Sequence, residues 1–285
     1  MNIQSDSSTR PAAAMPIAVV TGAGGGLGLA LTQQLAQSGY RVAMADMDLA
    51  ALESAAATLS NAVRPQLRLH VTDVTDLAAL EQLAHTVSVE WDTPDLVINN
   101  AGLLGPISHA WDGDIDAWRL ALEVNIWGVI HSMRAFMPGM IAADRGRIVN
   151  IASAASWSSA PMMAAYGAAK HAVLALTESA YRELRAAHSQ VQVSAVCPNT
   201  IRTGLLSALG DPAQEPDTED ARRKLFAARE AGMNADDVAA LILREVAAGS
   251  YLIATEPDWV LHAAQQRVQI AQGGAPPLDR QPPRR

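Results

Sequence analysis

Two residues four positions apart, in the run Tyr166-Gly-Ala-Ala-Lys170, carry the clearest proton-transfer chemistry in the chain. On a helix that spacing puts both side chains on one face. An ammonium beside a phenol favours phenolate, so it draws the tyrosine down from about 10 towards the range of a working general base. Such a tyrosine takes a proton from an alcohol or returns one to a carbonyl. Taken singly, Tyr166 reads as readily as an amphipathic surface residue and Lys170 as a solvated charge.

A second group of residues is suited to holding a phosphate-bearing ligand. The run Thr21-Gly-Ala-Gly-Gly-Gly-Leu-Gly28 puts Gly22, Gly24, Gly26, Leu27 and Gly28 where a strand must turn sharply into a helix. Glycines there let backbone N–H groups approach a pyrophosphate, whose charge the helix N-terminus favours. Asp46 stands eighteen residues beyond Gly28, followed by Met47. A carboxylate at that strand end accepts hydrogen bonds from ribose hydroxyls and repels a 2′-phosphate. The loop contains no Arg or Lys. NAD is therefore expected in preference to NADP.

The elements that must position these groups alternate regularly. Residues 16–21 form a short apolar, β-branched run stopping at glycine, as a buried parallel strand should. Leu27, Leu31 and Leu35 then recur at helical spacing. Strands are expected at 41–45, 67–71, 95–99, 147–151 and 191–196, and helices at 49–59, 77–89, 116–141 and 166–187. This order predicts an α/β fold, a doubly wound parallel sheet of the Rossmann type, in one domain with helices on both faces. The domain is expected over 15–272, between flexible tails at 1–14 and 273–285. Residues 203–233 break the rhythm with glycines, prolines and mixed charge, and read as an excursion that is either a lid or a solvated loop. Asn234 starts a further helix with an apolar stripe at Val238, Leu241, Ile242 and Val246, and 251–255 gives a last strand.

Composition narrows the function. The 285 residues are 49% hydrophobic and 18% charged, the balance of a folded globular protein. A net charge of −8 repels phosphate backbones, so nucleic acid is an unsuitable partner. Cys197 is the lone cysteine, which excludes an internal disulfide and a cysteine-based zinc cluster, and no metal site is expected. No apolar run approaches the roughly 20 residues needed to span a bilayer, and the first fourteen residues lack a signal-peptide core. A cytoplasmic protein without a membrane partner is expected.

Taken together and in order, the motifs resemble those of the short-chain dehydrogenase/reductase family over residues from about 15 to 255. The elements are the Thr21–Gly28 loop, Asp73 and Val74 after the third strand, Asn99, Asn100, Ala101 and Gly102 after the fourth, Asn125, Ser153, and the Tyr166/Lys170 pair thirteen positions beyond Ser153. The resemblance implies that Asn125, Ser153, Tyr166 and Lys170 are catalytic. Ser153 would hold the substrate oxygen, Lys170 the nicotinamide ribose, and Asn125 a water in a proton relay. It also implies that Asp73 and Val74 meet the adenine, that Asn100, Ala101 and Gly102 lie beside the adenosine ribose, and that Pro198, Ile201 and Thr203 hold the nicotinamide end. Asp73 also suits a helix N-cap, and the two roles are compatible.

The family commonly has Pro-Gly after the sixth strand, whereas this chain has Pro198-Asn199. Asn tolerates a left-handed backbone, so the turn can survive, and Asn199 becomes a candidate substrate contact. Leu104, Ala155, Met163 and Leu205, with Ser153, Tyr166 and Asn199, are the expected substrate-binding residues, with Leu103, Trp157, Met162 and Leu206 as further candidates. Their apolar character suggests a hydrophobic or aryl-bearing secondary alcohol or ketone. The competing readings are an NADP-dependent biosynthetic ketoreductase and a non-catalytic nucleotide-sensing protein on the same fold. The resemblance further implies a homodimer or homotetramer built through the helices at 116–141 and 166–187.

Overall fold

Every side chain of the strand Ile17–Thr21 (β1) is buried, which its unbroken apolar, β-branched sequence requires of a strand covered on both faces. The computed structural model describes residues 15–205 and 218–277. Around β1 the chain alternates: α1 (Gly26–Gln37), β2 (Arg41–Asp46), α2 (Leu49–Thr58), β3 (Leu67–Val71), α3 (Leu77–Glu90) and β4 (Leu96–Asn99). It continues through α4 (Ile115–Leu122), α5 (Gly128–Ala142), β5 (Arg147–Ile151), α6 (Ala164–Ala186) and β6 (Gln192–Cys197). A short pair, β7 (Ile201–Arg202) and β8 (Met233–Asn234), brackets α7 (Glu219–Ala231), and α8 (Ala235–Ala247), β9 (Leu252–Ala254) and α9 (Pro257–Ala271) complete the order.

Seven strands form one parallel sheet in the order β3-β2-β1-β4-β5-β6-β9. Chain direction across the sheet reverses between β1 and β4, which opens a crevice at the carboxyl ends of those strands. Alternate residues of each strand feed two cores. Ile17, Val19 and Ile148 pack with α3, α5 and α6 on one face, and Ala18, Val20 and Ile98 with α1, α2 and α8 on the other. The stripe Leu27, Leu31 and Leu35 of α1 is buried as its spacing predicts.

Four expectations need correction. The helix expected over 116–141 is interrupted by a π-helical turn at Glu123–Trp127, which carries Asn125. Such a turn adds a residue to the helical circuit and changes which side chains face inward, an effect that hydrophobic period alone does not reveal. Asp73 is not a helix cap: its Oδ1 accepts from Thr75 N at 2.9 Å, while Asp76 caps α3 by accepting from Ala78 N at 2.9 Å. Asn199 is absent from the positive-φ residues, so its backbone needs no glycine and the exchange carries no left-handed strain. Finally, the described part of the 203–233 excursion includes the helix α7, and α9 follows the last strand where no helix was expected. Of the expected tails, 1–14 and 278–285 lie outside the described residues, as do 206–217 and therefore Leu206.

Candidate active site

The crevice between β1 and β4 is laced together by side chains at the strand ends. Thr21 Oγ1 accepts from the backbone N–H groups of Asn100 at 3.0 Å and Ala101 at 3.1 Å. Asn100 Nδ2 donates back to the carbonyls of Thr21 at 2.9 Å and Gly22 at 3.2 Å. These bonds fix the glycine loop against the segment after β4. Gly22 and Gly26 have positive φ of 65° and 52°, which glycine alone adopts without penalty. A Cβ on Gly28 would lie 2.1 Å from the Gly22 carbonyl oxygen, so this position is closed to any side chain.

Gly25, by contrast, has open space where a Cβ would stand, and it precedes α1 without any side-chain cap. The first-turn N–H groups of α1 are thus left for a ligand, the arrangement that suits an anion. Asp46 at the end of β2 accepts from Gly24 N at 3.0 Å and Asp48 N at 3.2 Å. Its carboxylate therefore anchors the loop while lining the cleft. An open helix N-terminus, a glycine cradle and a carboxylate in the cleft wall together fit a dinucleotide.

The cleft has a volume of about 490 Å³. Of the residues expected to hold the cofactor, Gly22, Gly26, Leu27, Asp46, Asn100, Ala101, Gly102, Tyr166, Lys170, Pro198, Ile201 and Thr203 line it. Gly24 and Gly28 support the loop from behind. Met47, Asp73 and Val74 are not in its wall. Met47 is 71% exposed, and Val74 is buried against Gly128. All the expected substrate contacts, Leu104, Ser153, Ala155, Met163, Tyr166, Asn199 and Leu205, line the cleft. Leu103, Trp157 and Met162 do not.

Ser153 is placed by a short 3₁₀ turn at Ala154–Ser156. Its Oγ accepts from Ala155 N at 3.0 Å, and Ser156 Oγ donates to the Lys170 carbonyl at 2.6 Å, tying the turn to α6. Ala154 N donates to the Pro198 carbonyl at 2.8 Å, which ties the same turn to the end of β6. These bonds give the thirteen-residue separation of Ser153 and Tyr166 its spatial meaning. Lys170 is 4% exposed, its Nζ donates to the Ile151 carbonyl at 2.8 Å, and it stands 5.7 Å from the centroid of the Tyr166 ring.

Asn125 projects from the π turn into the same cluster. Its Nδ2 donates to the carbonyls of Leu103 at 2.6 Å and Ala121 at 2.8 Å, while its buried Oδ1 has no partner. A Cβ on Gly102 would stand 2.8 Å from that Oδ1 and 3.6 Å from Lys170 Nζ, so glycine is needed where the three residues converge.

Burial dominates the electrostatics. It pushes the Tyr166 phenol above its ordinary value, a rise opposed by the hydroxyl of Ser153. It also lowers the Lys170 ammonium to about 8, partly offset by the Cys197 thiol. The expectation that Lys170 draws Tyr166 down is not met: desolvation, which penalises phenolate, is the largest influence on the phenol, and the Ser153 hydroxyl is what opposes it.

Several wall residues escaped sequence reasoning. Ile151, Ala152 and Thr200 line the cleft through strand ends, and Leu225 and Arg229 reach it from α7. Leu225 packs against the pair Leu104 and Ile107 together with Met163 and Tyr166. The i,i+4 spacing of Leu225 and Arg229 was the available signal, hidden because charged residues surround it in the 203–233 segment.

A parallel doubly wound sheet with a glycine loop at its switch point and this cleft define a dinucleotide-binding oxidoreductase fold. The chain belongs to the short-chain dehydrogenase/reductase family: the family profile described as short chain dehydrogenase matches residues 16–214. Among its relatives is 1-deoxy-11-beta-hydroxypentalenate dehydrogenase from Streptomyces exfoliatus, 34% identical over 245 residues, covering 85% of this chain and 83% of that protein. A short chain dehydrogenase/reductase from Burkholderia phymatum, solved in complex with NAD, superposes with a TM-score of 0.85 at 32% identity, covering 93% of this chain and 97% of that one. A short chain dehydrogenase from Burkholderia cenocepacia, solved in complex with NADP, gives a TM-score of 0.71 at 27% identity, covering 91% and 95%. The protein is an oxidoreductase of this family.

Proposed function

We propose that the protein is an NAD-dependent dehydrogenase of secondary alcohols with an apolar or aryl-bearing body, with Tyr166 as the general acid/base. The observation that carries this reading is the convergence of Tyr166, Ser153, Lys170 and the unpartnered Oδ1 of Asn125 on one cleft whose other end is an open glycine loop. Bound there, the nicotinamide dinucleotide would accept the hydride from the alcohol carbon, and its oxidised ring would bring positive charge to the site.

The residues of the chain do the rest. Ser153 and Tyr166 hold the alcohol oxygen, and Tyr166 takes its proton as the carbonyl forms. The burial that raises the tyrosine also strengthens the effect of any positive charge placed beside it. Lys170, fixed by Ile151, bonds ribose and passes protons towards Asn125, whose free Oδ1 is an acceptor suited to a relay. Gly22, Gly26, Leu27 and the first turn of α1 hold the pyrophosphate, Asn100, Ala101 and Gly102 flank the adenosine ribose, and Pro198, Ile201 and Thr203 hold the nicotinamide end. Asp46 favours NAD by repelling a 2′-phosphate.

Leu104, Ala155, Met163 and Leu205 give the substrate an apolar wall, and Asn199 adds a polar contact. The hydroxyl named in the Streptomyces exfoliatus relative supports oxidation of an alcohol. A homodimer or homotetramer is supported by exposed Leu120 and Trp127 on the α4–α5 side and Tyr181 on α6, and sedimentation tests it. For the reaction, a panel of secondary alcohols is oxidised with NAD and with NADP while absorbance of the reduced nicotinamide is followed. Turnover of apolar members with NAD preferred, and its loss in Tyr166→Phe, is the expected result. An unaltered rate in Tyr166→Phe refutes the mechanism.

A further inference from the structure

One charge in the cleft wall is left without a counter-charge. Arg229 stands in the last turn of α7, four residues after Leu225 and on the same face. Both line the cleft. The Arg229 Nε is buried and without a hydrogen-bond partner, and among the described residues no ion pair is formed by its guanidinium. Elsewhere on α7 Arg223 pairs with Glu219 at 2.6 Å and Lys224 with Asp220 at 2.7 Å. The other charged groups of the cleft wall are already engaged. Asp46 holds the backbone of the glycine loop, and Lys170 donates to Ile151.

A guanidinium with a desolvated, unmade hydrogen bond is costly to keep. It shares the cleft with the apolar side chains of Leu104, Met163, Leu205 and Leu225, the last of these one turn before it on α7. An acceptor carried by a ligand in the cleft would complete that bond. The planar fork of arginine matches carboxylate oxygens two at a time.

We infer that Arg229 is a specificity-determining residue that docks a carboxylate on the substrate, so that the alcohol oxidised is a hydrophobic hydroxy acid. This rests on the dehydrogenase reading above and narrows it: the apolar wall takes the hydrocarbon body, Tyr166 the hydroxyl and Arg229 the anionic end. The pyrophosphate of the cofactor offers the same anionic chemistry, and the two sources separate by experiment.

NADH binding to wild type, Arg229→Met and Arg229→Lys is titrated by fluorescence. Each NADH complex is then titrated calorimetrically with cyclohexanecarboxylate and with cyclohexanecarboxamide, which share a ring and differ in charge. In wild type the carboxylate binds about 10- to 100-fold tighter than the amide, the range for hydrogen bonds to charged groups. Arg229→Met abolishes that preference with its NADH dissociation constant within about twofold of wild type, and Arg229→Lys keeps part of it. A wild type that does not prefer the carboxylate, or a preference that survives in Arg229→Met, overturns the inference. So does an NADH constant that rises about 10-fold in Arg229→Met without loss of carboxylate preference, which assigns the arginine to the pyrophosphate. If Arg229→Met melts well below wild type, the Arg229→Lys titration decides, and a preference equal to wild type with weakened NADH binding then counts against the inference. The titrations need no turnover, so an alcohol panel that stays inactive with hydrophobic hydroxy acids included refutes the dehydrogenase reading and leaves the Arg229 result standing on its own.

Discussion

Two glycines three positions apart in one loop should respond differently to the same methyl group. In Gly28→Ala the new Cβ would lie 2.1 Å from the Gly22 oxygen, 2.7 Å from Asn100 Nδ2 and 2.8 Å from the Gly22 carbonyl carbon. None of these neighbours can swing away, because Gly22 is backbone and the Asn100 amide is held by the Thr21 and Gly22 carbonyls. Overpacking of this kind costs about 1–3 kcal/mol, and a backbone clash belongs at the upper end. Replacing glycine inside a helix returns about 0.5–1 kcal/mol. The clash therefore wins by about 2 kcal/mol, which lowers the melting temperature by about 4–8 °C in a protein of this size.

In Gly25→Ala the Cβ meets nothing within 4 Å, and the residue has φ of 179°, extended backbone open to alanine. Restricting the unfolded chain contributes about 0.4–1 kcal/mol, and the poorer helix cap costs a similar amount. Stability should stay within about 1 kcal/mol of wild type. The methyl group nevertheless stands in the cleft wall at the open end of α1, where a pyrophosphate must come close. NADH affinity should fall by about 10-fold or more, since about 1.4 kcal/mol of lost phosphate hydrogen bonding is sufficient. Calorimetric melting and fluorescence titration with NADH read the two effects separately. A Gly28→Ala protein that melts with wild type would refute the packing argument, and Gly25→Ala with unchanged NADH affinity would refute the assignment of the loop.

Asp46→Ser should raise kcat/KM with NADP relative to NAD by about 10-fold or more, because it removes a repulsion of order 1–4 kcal/mol from a 2′-phosphate; an unchanged ratio in steady-state assays removes Asp46 from cofactor choice. Lys170 is held at about 8, against 10.5 for a free lysine, so the unfolded chain binds the extra proton between those values and stability rises with pH across that window. Cys197, raised to about 11 from 9.0, acts in the opposite sense at the upper end. The difference in urea midpoint between wild type and Lys170→Met isolates the lysine and should grow in favour of wild type from pH 8 to 10; parallel curves would show that Lys170 titrates normally. Tyr166→Phe should lower kcat by about 10²- to 10⁴-fold with NADH affinity retained, and equal losses in both would point to a misfolded cleft instead.

Local rules determined much of this protein in advance. A fully apolar β-branched run must be a strand covered on both faces, leucines every four residues must be a buried helix stripe, and glycines between the two must form a tight turn. Hence Ile17–Thr21, the Leu27/Leu31/Leu35 stripe and the Thr21–Gly28 loop were legible residue by residue, and with them the parallel sheet. The Tyr166 and Lys170 pair was legible for the same reason, since its geometry comes from one helix.

What escaped depended on distances between elements. The π turn that aims Asn125 packs together with α4 against α6, and no period in 116–141 records it. Asp73 and Asp76 are both acids near a helix start, and the hydrogen bonds alone tell the cap from the loop turn. The balance at Tyr166 required knowing that it is desolvated as well as near an ammonium, and desolvation comes from the elements packed around it. Arg229 is a surface charge by every local criterion, set among paired acids and bases on an amphipathic helix. It becomes a cleft residue because α7 is laid across the crevice by Leu225 and Phe226 packing on Leu104 and Ile107. Short-range spacing fixes conformation within an element, whereas burial, pKa and partnership are set by atoms a hundred residues away.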